Sequence, residues 1–244
     1  MTDKCDSTRR NFLAGAAAAG PVLLLAACAG RTEQSAGKKP EGEKGGAREV
    51  LATEDLMREH GVLRRALLVF GEAAVRLRRD AASVPPAALQ DAAKLFRTFG
   101  EDYHEKKLEE TYIFPALKRT SGPAAAYPDI LVAQHDRGRQ ITDYILAVTA
   151  GPRIGAEAGK LAAALEAFAR MYENHAARED TIVFPAWKDT VTDSQYDELS
   201  DKFEEIEHQE FGADGFESAV RRIGEIESTL GLADLAQFTA PPPS

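Results

Sequence analysis

The chain has 244 residues, with 39 acidic against 30 basic side chains, a formal charge of −9, and 44% apolar residues. That length holds one sizeable domain or two small ones, and the apolar share is enough for a substantial core. The negative charge, without a basic cluster interleaved with aromatics, argues against nucleic-acid binding. Only two cysteines are present, Cys5 and Cys28, so no disulfide framework is available.

The N-terminal stretch reads as an address. Thr8-Arg9-Arg10-Asn11-Phe12-Leu13 precedes a mild Ala/Gly-rich apolar run from Ala14 to Ala27. It resembles a twin-arginine export signal. The run ends Leu25-Ala26-Ala27-Cys28, which resembles a lipobox whose cysteine is acylated. It is too short and too Gly/Ala-rich for a transmembrane anchor. Residues 1–28 are therefore expected to act as a signal, giving an exported, membrane-anchored lipoprotein of a bacterial cell envelope. The twin-arginine machinery, which passes folded proteins, would be its partner in export. Residues 29–52 are expected to be a flexible tether, since from Ala29 to about Arg48 no apolar residue is larger than Ala.

Beyond the tether the apolar pattern has a helical period, and no alternating strand pattern stands out. A first helix is predicted from about Thr53 to Asp80, with Leu56, His60, Leu63, Leu67 and Phe70 on one stripe. A second starts near Pro86, a tolerated first-turn proline, and carries Leu95, Phe99, His104 and Glu109. Pro115 is expected to kink it. A third helix is predicted from about Asp129 to Thr149, with Leu131, His135, Thr142 and Ile145 along one side. A fourth, from about Glu157 to Lys188, sets Leu161, Leu165, Phe168, Tyr172, His175, Glu179 and Ile182 on one stripe. Residues 53–190 thus form the expected body. Helices at Ser194–Phe211 and about Asp214–Gly231 make an expected cap (residues 191–232), and residues 233–244 an expected tail.

Chemistry concentrates in a repeat. Glu109-Glu-Thr-Tyr-Ile-Phe-Pro-Ala-Leu-Lys118 matches Glu179-Asp-Thr-Ile-Val-Phe-Pro-Ala-Trp-Lys188 at six of ten positions, at a constant offset of 70. A histidine stands upstream of each glutamate, His104 and His175, and each of the four helices carries one histidine. His175 and Glu179, four apart, share a helix face and can grip one ion. Buried imidazoles without partners would each cost about 1–3 kcal/mol, and a shared metal removes that cost. Imidazole with carboxylate accepts iron, manganese or zinc.

His60, His104 with Glu109, His135, and His175 with Glu179 resemble the hemerythrin-like, or HHE cation-binding, family, as does the Phe-Pro after each glutamate. The resemblance spans roughly Thr53 to Lys188. It implies an antiparallel four-helix bundle, all-α, with the C-terminal helices packed on it. It also implies two non-haem iron ions, bridged by the two glutamates and capped by the four histidines. The chain departs from the pattern twice. His104 and Glu109 are five apart, about 140° around an ideal helix instead of about 40°, so a π-bulge is predicted between them. Glu101 and Glu110 are the competing carboxylates. Arg139 stands where oxygen-carrying hemerythrins place a fifth histidine. The spare histidine, His208, lies nearly opposite its helix's apolar stripe and reads as a surface group. Tyr172, one turn before His175, reads as core packing or as a redox neighbour, and Trp187 as core.

Three functions compete on this reading. The first is a binding protein taking up O2, NO or iron itself; the second is a di-iron oxidoreductase acting on peroxide, O2 or NO with an external electron donor. The third is a lipid-anchored bundle whose histidines are merely packed, and the repeat weighs against it.

Overall fold

A computed structural model describes residues 50–212 and 215–243; the signal, the lipobox and nearly all of the tether lie outside them. The described residues form helices and short turns, with no strand among them. Helix α1 spans Ala52–Arg79. Helix α2 starts as Pro86–Leu95, continues as a π-helix, Phe96–Ile113, and ends with Phe114–Lys118. Helix α3 spans Pro128–Val148. Helix α4 runs Ala158–Arg178, then a π turn, Glu179–Val183, then Phe184–Lys188. Helices α5, Asp193–Phe211, and α6, Gly215–Thr229, follow. No described helix is long and apolar enough to cross a membrane.

Helices α1 to α4 form an antiparallel bundle, as cross-helix pairs show. Along α1, His60 meets His104 of α2 and, further on, Phe70 meets Phe96, so the two helices run oppositely. In the same sense His60 bonds Asp180 of α4 while Phe70 packs on Phe168. Between α2 and α3, Glu110 meets His135 and Glu101 meets Thr142. The predicted α1 stripe is buried in full. Phe70, Phe96, Phe168 and Tyr172 interlock in the middle of the bundle, with Phe96 and Phe168 4.8 Å apart in near-perpendicular contact. Each such ring contributes about 1.5–3 kcal/mol by burial.

Wide turns precede both prolines near the ends of α2 and α4. Pro115 and Pro185 lack an N–H and would press on the carbonyl four residues back. The amide of Phe114 bonds the Glu109 carbonyl, and that of Phe184 the Glu179 carbonyl, each an i→i−5 bond. In α2 the π ladder extends far beyond the bulge expected between His104 and Glu109. The π turn in α4 was not expected from the sequence. It advances the buried face by one residue, so Val183 is buried and Ile182 only partly so.

The C-terminal helices cover one end and one side of the bundle. Leu51 gives α1 no side-chain cap. Instead Ser200 Oγ accepts from the Ala52 amide and Tyr196 Oη from that of Thr53, both at 3.0 Å, so α5 satisfies the first turn of α1. Phe203 of α5 stacks on Trp187 at 5.8 Å, which makes Trp187 a core residue. The Phe216 amide donates to Glu207 Oε1 at 2.6 Å, joining α5 to the start of α6. Gly215 leaves the space for that carboxylate, since a Cβ there would lie 2.5 Å from Glu207 Oε1. Past α6, the expected tail contains a 3-10 turn, Leu235–Phe238.

Candidate metal centre

His60, His104, Glu109, His135, His175 and Glu179 come together in the bundle core, and all six are buried. The π ladder of α2 is what admits Glu109, because i→i−5 winding brings a residue five positions on back beneath His104. Glu109 Oε1 lies 3.3 Å from His104 Nε2 and its Oε2 lies 3.4 Å from His135 Nε2. Glu179 Oε2 lies 3.0 Å from His175 Nε2 and 3.5 Å from His60 Nε2. The imidazoles pair, His104 Nε2 with His60 Nε2 at 3.0 Å and His135 Nε2 with His175 Nε2 at 3.2 Å. Each glutamate therefore touches one imidazole of each pair. Of the competing carboxylates, Glu101 turns to Thr142 and Arg97. Glu110 binds the far side of His135. His208 is exposed.

Of the four residues behind the imidazoles, Glu59, Asp180 and Gln134 were missed in the sequence, and Glu110 was named only as a competing ligand. Each Nδ1 faces an oxygen acceptor: His104 to Glu59 at 2.7 Å, His60 to Asp180 at 2.7 Å, His135 to Glu110 at 3.1 Å, and His175 to Gln134 at 2.9 Å. Glu59 and Gln134 immediately precede His60 and His135; Glu110 and Asp180 immediately follow Glu109 and Glu179. The repeat thus encodes its own support, and those flanking positions were the available signal. Phe114 and Phe184 complete the symmetry, stacking on His135 at 5.6 Å and on His60 at 5.4 Å. Behind His104, Tyr103 donates to the other Glu59 oxygen at 2.9 Å.

This arrangement fixes the tautomers. With Nδ1–H donated outward, each neutral imidazole turns an Nε2 lone pair inward. Both oxygens of Glu109 and of Glu179 are buried without a hydrogen-bond partner. Four lone pairs and four carboxylate oxygens thus converge with no donor among them. Buried acceptors left so would each cost about 1–3 kcal/mol. Protons or cations can balance the set. Two groups of ligand atoms lie within 4.8 Å of one another: Glu109, His135, His175 and Glu179, and His60, His104 and Glu109. The donor set fits two cations sharing Glu109.

Protonation follows the same logic. Burial opposes charge on His135, but Glu105, Glu110, Glu109 and Glu179 outweigh it and raise its pKa to about 9. His104 is raised well above its ordinary value, with Glu109 and Glu59 overcoming burial. Burial and the neighbouring Glu179 charge push Glu109 up. The histidines, against burial, hold Glu179 down at about 2. The surrounding carboxylates therefore favour the protonated form of His104 and of His135 in the metal-free protein.

Arg139, at the fifth-histidine position, does not reach the cluster. It donates to the Glu101 carbonyl at 2.8 Å and to Glu110 Oε1 at 3.0 Å. Tyr172 donates to Glu105 Oε1 at 2.7 Å, and its ring lies 5.3 Å from that of His175. Its hydroxyl occupies space that only Gly138 leaves open, since a Cβ there would lie 2.0 Å away.

Residues 51–187 match the family described as the hemerythrin HHE cation binding domain. Proteins of Mycobacterium bovis and Mycobacterium tuberculosis, each described only as an uncharacterized protein, are 41% identical over 233 residues, covering 95% of this chain and 90% of theirs. No solved structure matches the chain.

Proposed function

Given that the chain belongs to the hemerythrin HHE cation-binding family, we propose that it is a non-haem di-iron protein binding a small ligand in its bundle core. The ligand is O2, NO or iron itself. His60, His104 and Glu109 would hold one iron, and Glu109, His135, His175 and Glu179 the other. The observation that carries this reading is the convergence of four imidazole Nε2 atoms with the four buried, unpartnered oxygens of Glu109 and Glu179. Iron bound there would supply Lewis acidity and one-electron chemistry. The residues of the chain supply the rest. Glu59, Asp180, Glu110 and Gln134 orient the imidazoles, and the phenylalanines exclude water.

The absence of a histidine at position 139 favours a second reading. Four histidines and two carboxylates leave positions open on the metals, as a di-iron oxidoreductase acting on peroxide, O2 or NO requires. The chain holds no evident electron-transfer partner of its own, so turnover would need an external donor. We further propose export by the twin-arginine machinery and anchoring through lipid on Cys28, which rest on the residues 9–28 pattern alone.

The test is iron content per chain in the wild type and in His175→Ala. A sharp loss in the variant is expected, and unchanged iron would remove His175 from the site. For localisation, Cys28→Ala is expected to move the protein from the membrane to the soluble fraction of the envelope. Retention in the membrane would refute lipid anchoring.

A further inference from the structure

Two of the imidazoles are each bracketed by a pair of consecutive carboxylates. On His60, Nε2 lies 3.5 Å from Glu179 Oε2 and Nδ1 lies 2.7 Å from Asp180 Oδ1. On His135, Nε2 lies 3.4 Å from Glu109 Oε2 and Nδ1 lies 3.1 Å from Glu110 Oε1. Glu179 and Asp180 stand in the π turn of α4, Glu109 and Glu110 in the π ladder of α2. The two halves of the bundle thus repeat one device, with α4 bracketing α1 and α2 bracketing α3.

Each outer carboxylate also carries an arginine. Arg64 stands four residues after His60 on α1, and Arg139 four after His135 on α3, so each guanidinium shares a face with its imidazole. Arg64 Nη2 donates to Asp180 Oδ2, leaving Oδ1 to His60. Arg139 Nη2 donates to Glu110 Oε1 at 3.0 Å. The remaining imidazoles are backed differently, His104 by Glu59, which Tyr103 holds, and His175 by the uncharged amide of Gln134. Asp180 and Glu110 sit at the bundle surface, with side chains 16% and 14% exposed. A carboxylate at that boundary can turn out to water unless something holds it. Half-exposed ion pairs add little to folding stability, so the consequence of these two is local.

We propose that Arg64 and Arg139 are positioning residues of the metal centre. Each pins the carboxylate that fixes the tautomer and ring angle of the histidine one turn before it. Position 139 is then the counterpart of Arg64, and its arginine serves His135 through Glu110. The proposal rests on the reading of the cluster as a metal site and names what holds that site in shape.

The first readout uses the metal-free full chain, so that it stands apart from the iron reading. The Nδ1–H protons of His60 and His135 are expected as downfield, slowly exchanging NMR signals. Arg64→Gln should speed exchange at His60 about 10–100-fold, the weight of one hydrogen bond to a charged group, and leave His135 unchanged. Arg139→Gln should do the reverse, and Arg64→Lys, which keeps the charge, should restore slow exchange at His60. The second readout is zinc affinity by competition titration, which involves no redox chemistry. Arg64→Gln should weaken zinc about tenfold with little change in the urea midpoint. In an Asp180→Asn background it should weaken zinc no further, since the arginine acts through that carboxylate. Unchanged exchange at His60 in Arg64→Gln would overturn the proposal, as would zinc losses that add in full in the double variant. Failure of the wild type to bind iron or zinc would sink the functional reading and leave the exchange measurement to decide the role of the arginines.

Discussion

Raising the pH should destabilise the metal-free protein, which reverses the usual acid sensitivity of a carboxylate-rich fold. His135 has its pKa raised from 6.5 to about 9 by the carboxylates around it. A raised histidine contributes stability that is fully present below its unfolded pKa and is lost as pH climbs through the folded value. The window therefore runs from about 6.5 to about 9. Two and a half pH units at 1.36 kcal/mol each amount to on the order of 3 kcal/mol. His104, raised in the same direction, adds to the loss. Glu101, pushed by burial to about 7, costs stability as pH rises from about 4.5 to 7. Glu179 and Glu110, held near 2, lose stabilisation only when pH falls below about 4.5. The measurement is the urea midpoint of chelator-treated protein at pH 6 and pH 9.5, with the higher midpoint expected at pH 6. A cation at His104 and His135 competes with their protons, so metal uptake near pH 7 should release protons. A midpoint that rises with pH in the metal-free protein would refute the proposed burial of cationic imidazoles among carboxylates.

Three substitutions test other parts of the account. Gly138→Ala drives a methyl into the Tyr172 hydroxyl, which Phe96, Phe168 and Glu105 hold in place. A net loss of about 1–3 kcal/mol is expected despite the better helix propensity of alanine, and an unchanged urea midpoint would contradict that packing. Glu59→Gln and Asp180→Asn keep the shapes behind His104 and His60 but remove the charges that orient them. Iron affinity should fall about 10–100-fold in each, and undiminished affinity in a competition titration would show that these carboxylates do not tune the imidazoles. Thr192→Ala breaks the capping box that starts α5. It should cost about 1 kcal/mol with iron content unchanged, and lost iron would mean that the cap shapes the site.

The bundle was legible because the helical period of the apolar residues and the proline and glycine breaks coincide. Pro86, for example, starts α2 where a first-turn proline is tolerated. The six candidate ligands were legible because the repeat sets them at matched positions, and the extra residue before Glu109 announced a wide turn. The length of the π ladder in α2 and the π turn in α4 were hidden. The α2 ladder begins at Phe96, well before the inserted residue, and the α4 turn has no inserted residue to mark it, so the spacing reveals neither. Glu59, Asp180 and Gln134 escaped attention because an acidic or amide residue beside a ligand normally faces solvent, and Glu110 was weighed only as a rival ligand. Only the antiparallel packing turns each toward an imidazole on another helix. The contribution of α5 to the first turn of α1 joins residues 148 apart, a pairing no local pattern can announce.

The central claim is that two cations occupy the core with Glu109 shared between them. Metal analysis with an optical spectrum, on the wild type and on Glu109→Gln after anaerobic iron loading, tests it most directly. The account predicts two irons per chain with near-ultraviolet oxo-to-iron bands in the wild type, and loss of both the bands and at least one iron in the variant. Zero or one metal in the wild type, or two irons retained with the bands intact in Glu109→Gln, would contradict it.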